Sequence, residues 1–356
     1  MSAAPRRIVI AAGGTAGHVV PALAVAEALR AEGAEVSFIG GERAEAQLVP
    51  AAGFPLHSIA VEGLSRSNPL RALRALARAV RALPRARTLL RELGADAVMG
   101  GGGYVAAPVG LAAVSLRTPL VLTEADSHLG LTNRLLARFA RRICLAFPLA
   151  GRDGPRYRVT GRPVAAPTFD RRAARARLGI GEQETCLLVY GGSLGARSIN
   201  LAAAEAFASA PFHVLHVSGR RDYAELAGRD LAPGYDLRDY LDLADFDGAL
   251  AAADLVVARS GGSVFEIAAR GLPAILVPYP HASADHQSAN ARWMVQAGAA
   301  VAIADGELSA ARLASEVAAL LADRTRLAAM SAAASGLARP QAARDVAGEL
   351  LEAAAR

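Results

Sequence analysis

Residues 11–21 read Ala-Ala-Gly-Gly-Thr-Ala-Gly-His-Val-Val-Pro and set one titratable ring, His18, directly behind a glycine turn. Histidine ordinarily titrates near neutrality, so at such a place it can take up or deliver a proton. Gly13, Gly14 and Gly17 allow a close approach of backbone to a ligand, and a helix N-terminus behind them favours anions. A tight turn carrying an incidental histidine reads the same way, and this run alone does not separate the two. A second turn follows in the other half: Gly191-Gly192-Ser193-Leu194-Gly195-Ala196-Arg197. A third begins at Arg259-Ser260-Gly261-Gly262-Ser263 and puts Glu266 in the first turn of a short helix. That carboxylate suits either a helix dipole or the vicinal hydroxyls of a ribose. Beyond it, Tyr279 to Asn290 gathers His281, Asp285, His286, Gln287, Ser288 and Asn290, a set able to read sugar hydroxyls or an amide.

Elements of one kind must hold these turns. Apolar runs at 7–12, 35–39, 97–100, 120–123, 142–146 and 158–160 read as buried strands, and a second series falls at 186–190, 212–218, 235–239, 255–258, 274–278 and 300–303. Ala-rich helical spacing fills the gaps, with Pro21 placed to start the first helix. Such alternation predicts α/β architecture, parallel sheets covered by helices on both faces. At 356 residues the chain exceeds what one core usually supports, and Gly161-Arg162-Pro163 with Pro167 reads as the hinge between two halves. Cys144 and Cys186, in apolar segments, read as reduced core residues of a cytosolic protein. The five apolar residues after Arg6-Arg7 are too few for a signal peptide, and the uncharged stretch at 104–116 is too short to span a bilayer. All 39 basic side chains are arginine, which excludes Walker-type phosphate loops and Schiff-base chemistry. No cysteine–histidine cluster has metal-ligand spacing.

Taken in order, the 13–21 turn, Gly102-Gly103-Tyr104-Val105, Gly130-Leu131-Thr132-Asn133, the 191–197 turn, Arg259-Ser260-Gly261 and 285–290 resemble the MurG family of peptidoglycan glycosyltransferases over essentially the whole chain. The resemblance implies a GT-B fold: two Rossmann-like domains with parallel sheets facing across a cleft. It divides the chain into 1–163, joined by a C-terminal helix at 341–356, and 164–340. It also implies inverting, metal-independent transfer of N-acetylglucosamine (GlcNAc) from UDP-GlcNAc to the 4-hydroxyl of the muramyl sugar of lipid I, giving lipid II without a cofactor. Carried over residue by residue, Thr15, Ala16 and Gly17 lie near the diphosphate and transferred sugar, and Ser193 binds the diphosphate. Leu243 and Ala244 flank the uracil, Ser263 sits in the turn before Glu266, and Glu266 takes the ribose. Gln287 and Asn290 read the GlcNAc hydroxyls. His18, Tyr104, Glu124 and Asn133 line the acceptor side, with His18 the expected base and Glu124 the next candidate. The chain departs from the family pattern at Ala16, Asp126, Ala165 and Leu194, and its 261–263 turn is one residue short. Arg162 stands where it can replace the arginine that the family carries at Ala165. A UDP-GlcNAc 2-epimerase, a glycosyltransferase acting on another glycolipid, and a non-catalytic binder of lipid intermediates remain as alternatives.

One segment bears on location. Between Gly63 and Arg91 there are eight arginines and no acidic residue. Arg71, Arg74, Arg78 and Arg81 share a helical face beside an apolar stripe of Leu70, Leu73, Ala77 and Val80, with Pro84 expected to end the helix near Leu83. No aromatic side chain is interleaved for base stacking, which argues against nucleic acid. The expected partner is an anionic membrane surface, met peripherally at the cytoplasmic face; an ordinary surface helix would show the same spacing.

Overall fold

Short apolar runs of Ile, Val and Leu fold as central strands because both their faces are covered by helices. A computed structural model describes residues 4–62, 69–192, 195–282 and 285–355. Contacts gather the chain into two units, Met1–Ala165 with Arg339–Arg356, and Ala166–Ala338.

The first unit contains β1 (Arg7–Ala11), α1 (Ala16–Ala31), β2 (Glu35–Gly40), α2 (Ala44–Ala51), β3 (Leu56–Ser58) and α3 (Pro69–Glu92). It continues through β4 (Ala97–Gly100), α4 (Ala106–Leu116), β5 (Leu120–Glu124), α5 (Leu131–Leu136), β6 (Arg142–Leu145) and β7 (Tyr157–Val159). Its seven strands are all parallel, in the order β3-β2-β1-β4-β5-β6-β7. The order reverses at β1 and β4, and both strands end in glycine turns; ligands of doubly wound sheets bind at such a point.

The second unit contains α6 (Arg171–Leu178), β8 (Cys186–Tyr190), α7 (Arg197–Ala206), β9 (His213–Val217), α8 (Arg220–Ala227) and β10 (Tyr235–Arg238). There follow α9 (Leu243–Ala252), β11 (Leu255–Ala258), α10 (Val264–Ala269), β12 (Ala274–Leu276), α11 (His286–Gln296), β13 (Ala300–Ala302), a 3₁₀ turn (Asp305–Glu307), α12 (Ala310–Ala322) and α13 (Arg324–Leu337). Six parallel strands run β10-β9-β8-β11-β12-β13, and β8 and β11, at the reversal, again lead into glycine turns. The chain then returns to the first unit as α14 (Ala342–Ala354), which buries Val346, Ala347 and Leu350 in the same cluster as Ile8, Ile10 and Val19. Glu349 fixes the helix there by accepting from Arg142 and Arg158.

Two expectations about proline fail. Helix α1 begins at Ala16, so Pro21 lies inside it. Having no N–H, Pro21 leaves the carbonyl of Gly17 without its helical donor, and Arg162 Nη2 supplies one at 2.6 Å. Pro84 likewise does not end α3, which runs on to Glu92. Pro84 is exposed, and water can take the carbonyl that its ring leaves unpaired. The arginine-bordered apolar stripe also differs from an ordinary surface helix. Helix α3 packs with Ala82, Ala86, Leu89 and Leu90, while Leu73 and Val80 are 65% and 63% exposed. Both cysteines are buried and free, and burial pushes their thiols up to about 12, so neither is reactive.

Candidate functional site

In the first unit, Thr15 is the extended N-cap residue of α1, and its Oγ1 lies 3.3 Å from His18 Nδ1. Ala16 opens the helix and Gly17 is exposed. His18, half-buried, shares a cavity wall with Thr123, Glu124, Gly161 and Arg162. Burial, then the Arg162 guanidinium, holds its pKa below the ordinary value, with Asp126 and Glu45 opposing, so the ring is neutral at pH 7 and can accept a proton. The loop after β4 presses on this turn: a side chain at Gly103, where φ is +75°, would meet the carbonyl of Gly13 at 2.1 Å.

Tyr104 packs over Gly14 and donates its hydroxyl to Glu45 Oε1 at 3.2 Å. Burial and this carboxylate push the phenol up to about 12, which makes it a hydrogen-bonding group and not a base. Glu124 Oε1 accepts from Asp126 N, and its Oε2 accepts from Gly130 N and Asn133 Nδ2 at 2.8 and 2.9 Å. Three donors thus hold the carboxylate, which is 7% exposed and anchors the 126–130 loop while lining the same cavity as His18. Asn133 is buried beside it and also donates to Thr123 O, leaving its own Oδ1 without a partner. Asp126 stays half-buried above.

In the second unit, Ser193 and Leu194 lie outside the described residues, so the diphosphate reading of Ser193 has no geometry here. Around them, Gly195 (φ +74°) rests on the carbonyl of Ser218, where a Cβ would approach to 2.1 Å. Beneath that turn is a buried chain of polar groups. Tyr235 donates its hydroxyl to His216 Nδ1 at 2.7 Å, and His216 Nε2 donates to Asn200 Oδ1 at 3.1 Å. Asn200 Nδ2 donates in turn to Ser218 O and Asp222 Oδ2, both at 2.8 Å. Because Asn200 gives both its protons away, its oxygen must face the histidine, which assigns the proton to Nε2. Burial lowers the His216 pKa to about 4, and Asp222 is held down at about 2, chiefly by Arg221. Arg259, at the end of β11, donates to Ser198 Oγ at 2.9 Å and pairs with Asp305 at 2.6 Å, fixing the start of α7.

Ser263 precedes α10 and Glu266 stands half-buried in its first turn. Leu243 and Ala244 are exposed at the start of α9, which Asp242 caps. Gln287 Oε1 accepts from Tyr279 N at 2.9 Å, and Ser260 Oγ donates to the Gln287 carbonyl at 2.8 Å. Asn290 is 1% exposed and its Nδ2 donates to Ser260 O at 3.0 Å, which ties α11 to the β11 turn and leaves its Oδ1 without a partner. Glu45, His216 and Asn200 were not picked out from the sequence. Their sequence neighbours carry no motif, and only the folded chain brings their partners to them.

Two doubly wound units, with glycine turns and a proton-accepting histidine at the reversal of strand order, define the two-domain α/β class that handles nucleotide-linked substrates. Family models described as the glycosyltransferase family 28 N-terminal and C-terminal domains match residues 8–145 and 186–346. The chain belongs to that family, in its MurG branch. A relative from Alkalilimnicola ehrlichii is 45% identical, covering 98% of this chain and 99% of its own. Another, from Moorella thermoacetica, is 43% identical over 94% and 96%. Both are named UDP-N-acetylglucosamine–N-acetylmuramyl-(pentapeptide) pyrophosphoryl-undecaprenol N-acetylglucosamine transferase. The crystal structure of Acinetobacter baumannii MurG is similar with a TM-score of 0.75 at 30% identity, covering 98% of this chain and all of that one.

Proposed function

We propose that this enzyme transfers GlcNAc from UDP-GlcNAc to the muramyl 4-hydroxyl of lipid I, giving lipid II and UDP. The observation that carries the reading is the near full-length identity of 43–45% to transferases named for that reaction. In the proposed step the 4-hydroxyl oxygen attacks the anomeric carbon from the face opposite UDP. The bond to the diphosphate oxygen breaks with its electron pair, and the hydroxyl proton passes to His18 Nε2; one displacement inverts the centre. The side of His18 that meets Thr15 is Nδ1, which leaves Nε2 for this role. The N-terminus of α7 favours the charge of departing UDP, a service that a metal ion provides elsewhere. Glu266 takes the ribose hydroxyls, Leu243 and Ala244 flank the uracil, and Gln287 reads the sugar. The test is UDP release with and without a lipid I analogue, in the presence of EDTA. Release that needs the acceptor and survives the chelator supports the reading; release without acceptor, or its loss with EDTA, speaks against it.

Docking is peripheral in this account. Among the described residues no helix is long and apolar enough to cross a membrane. The outward Leu73 and Val80, set among arginines, support contact with an anionic leaflet, each cation adding roughly 1 kcal/mol near such a surface. Glu62 engages Arg74 and Arg78, but these are partly exposed pairs and worth little against a charged surface. Changing Arg71, Arg74 and Arg78 to Glu should abolish flotation with phosphatidylglycerol or cardiolipin liposomes at low salt. Flotation equal to wild type would put docking elsewhere.

A further inference from the structure

Glu45 lies in the first turn of α2 and is fully buried. Its Oε1 accepts from Gly41 N at 2.8 Å and from the Tyr104 hydroxyl at 3.2 Å, while its Oε2 accepts from Gly14 N at 2.8 Å. An acidic residue in a first turn ordinarily serves its own helix, and the Gly41 bond fits that service. The other two bonds do not, since Gly14 and Tyr104 are 31 and 59 positions away in sequence. The surrounding glycines are cut to this carboxylate. A Cβ at Gly13 would lie 2.6 Å from Glu45 Oε1, and one at Gly41 would lie 2.9 Å from it. Gly13 thus makes room for an internal carboxylate, and the Gly14 amide is already committed before any ligand arrives.

We infer that Glu45 is a positioning residue for the acceptor side: one buried carboxylate clamps the turn that carries Thr15 and His18 to the loop that carries Tyr104. This rests on the proposed transferase reading, which assigns those three residues to acceptor and sugar. A carboxylate is required because all three partners are donors. Glutamine has the same shape, yet it must turn its NH₂ toward either Gly14 N–H or Gly41 N–H, leaving a buried donor unpaired.

The test uses the full chain with UDP-GlcNAc and a lipid I analogue. E45Q should lose on the order of tenfold to a hundredfold in kcat and raise the acceptor KM, with donor KM changing less, because misplacement of reacting groups is costly while the contacts assigned to the uracil and ribose lie in the second unit. Without substrates, hydrogen exchange of the same variant should quicken in peptides covering 11–18 and 101–106 and stay unchanged in those covering 186–192. Should E45Q not fold, G41A stands in for it: the new Cβ would sit 2.8 Å from the Tyr104 hydroxyl and 2.9 Å from Glu45 Oε1, disturbing the same clamp with the charge kept. A folded variant with wild-type kcat, or with wild-type exchange in both loops, overturns the inference. Absence of any transfer by the wild-type protein would overturn the functional reading instead, and the exchange measurement would still decide the clamp.

Discussion

His18 has the requirements of a base at neutral pH: it sits at the reversal of strand order, it is neutral, and its Nδ1 is turned toward Thr15. Replacing it by alanine should lower kcat by about 10² or more and leave UDP affinity unchanged, a split that steady-state kinetics and calorimetry resolve together. A loss under about tenfold would make His18 a positioning group and Glu124, which lines the same cavity, the next candidate base. Burial first, then the neighbouring charges, set the sign of the pH response. Arg162 lowers the His18 pKa, while Asp126 and Glu45 raise it. The base works when unprotonated, so activity falls as pH drops through that pKa. Arg162→Met removes the depressing charge and should move the acid limb of kcat/KM to higher pH; a limb that stays put or moves down would show that Arg162 does not act on His18. His18 was legible in the sequence because a glycine turn announces its surroundings. Glu45 was not, since its neighbours in sequence say nothing of Gly14 or Tyr104.

At the scale of elements, the strand–turn–helix rhythm was readable wherever a run was apolar and ended in glycine. β3 escaped because it is three residues at a sheet edge, Leu-His-Ser, with one apolar side chain. The prolines misled because each is accommodated inside its helix: Arg162 donates to the carbonyl that Pro21 frees, and Pro84 lies exposed. The buried chain from Tyr235 through His216 to Asn200 makes the second unit acid-sensitive. Unfolded, His216 titrates near 6.5; folded, it titrates at about 4. Between those values the unfolded chain binds a proton that the folded one refuses. Its contribution is therefore complete above about pH 6.5 and declines as pH falls toward 4, by roughly 1.4 kcal/mol per unit and on the order of 3 kcal/mol in all. The only tryptophan, Trp293, lies in α11 against Phe265, so its fluorescence reports unfolding of this unit. Urea midpoints followed by Trp293 should fall from pH 6.5 to 4.5, and His216→Gln should flatten that slope while lowering stability at pH 7. An equally steep slope in the variant would assign the acid response to other groups.

At the scale of the whole molecule, each unit is a doubly wound sheet, and α14 returns the chain to the unit in which it began. The division of labour we propose, acceptor and base on the first unit and nucleotide sugar on the second, makes a separable prediction. Glu266→Ala should raise donor KM by one to two orders of magnitude and leave acceptor KM within about threefold, because unpaired polar groups penalise only the partner they were built for. Equal UDP affinity in that variant would return Glu266 to capping α10. The most direct measurement on the central claim is the product itself. Incubated with UDP-GlcNAc labelled at C1 and a lipid I analogue, the protein should give one labelled disaccharide lipid. Its new anomeric proton should show the β configuration in NMR, and its linkage should be to the muramyl 4-oxygen. An α linkage, a different acceptor oxygen, or a labelled epimer formed without the lipid would contradict the account.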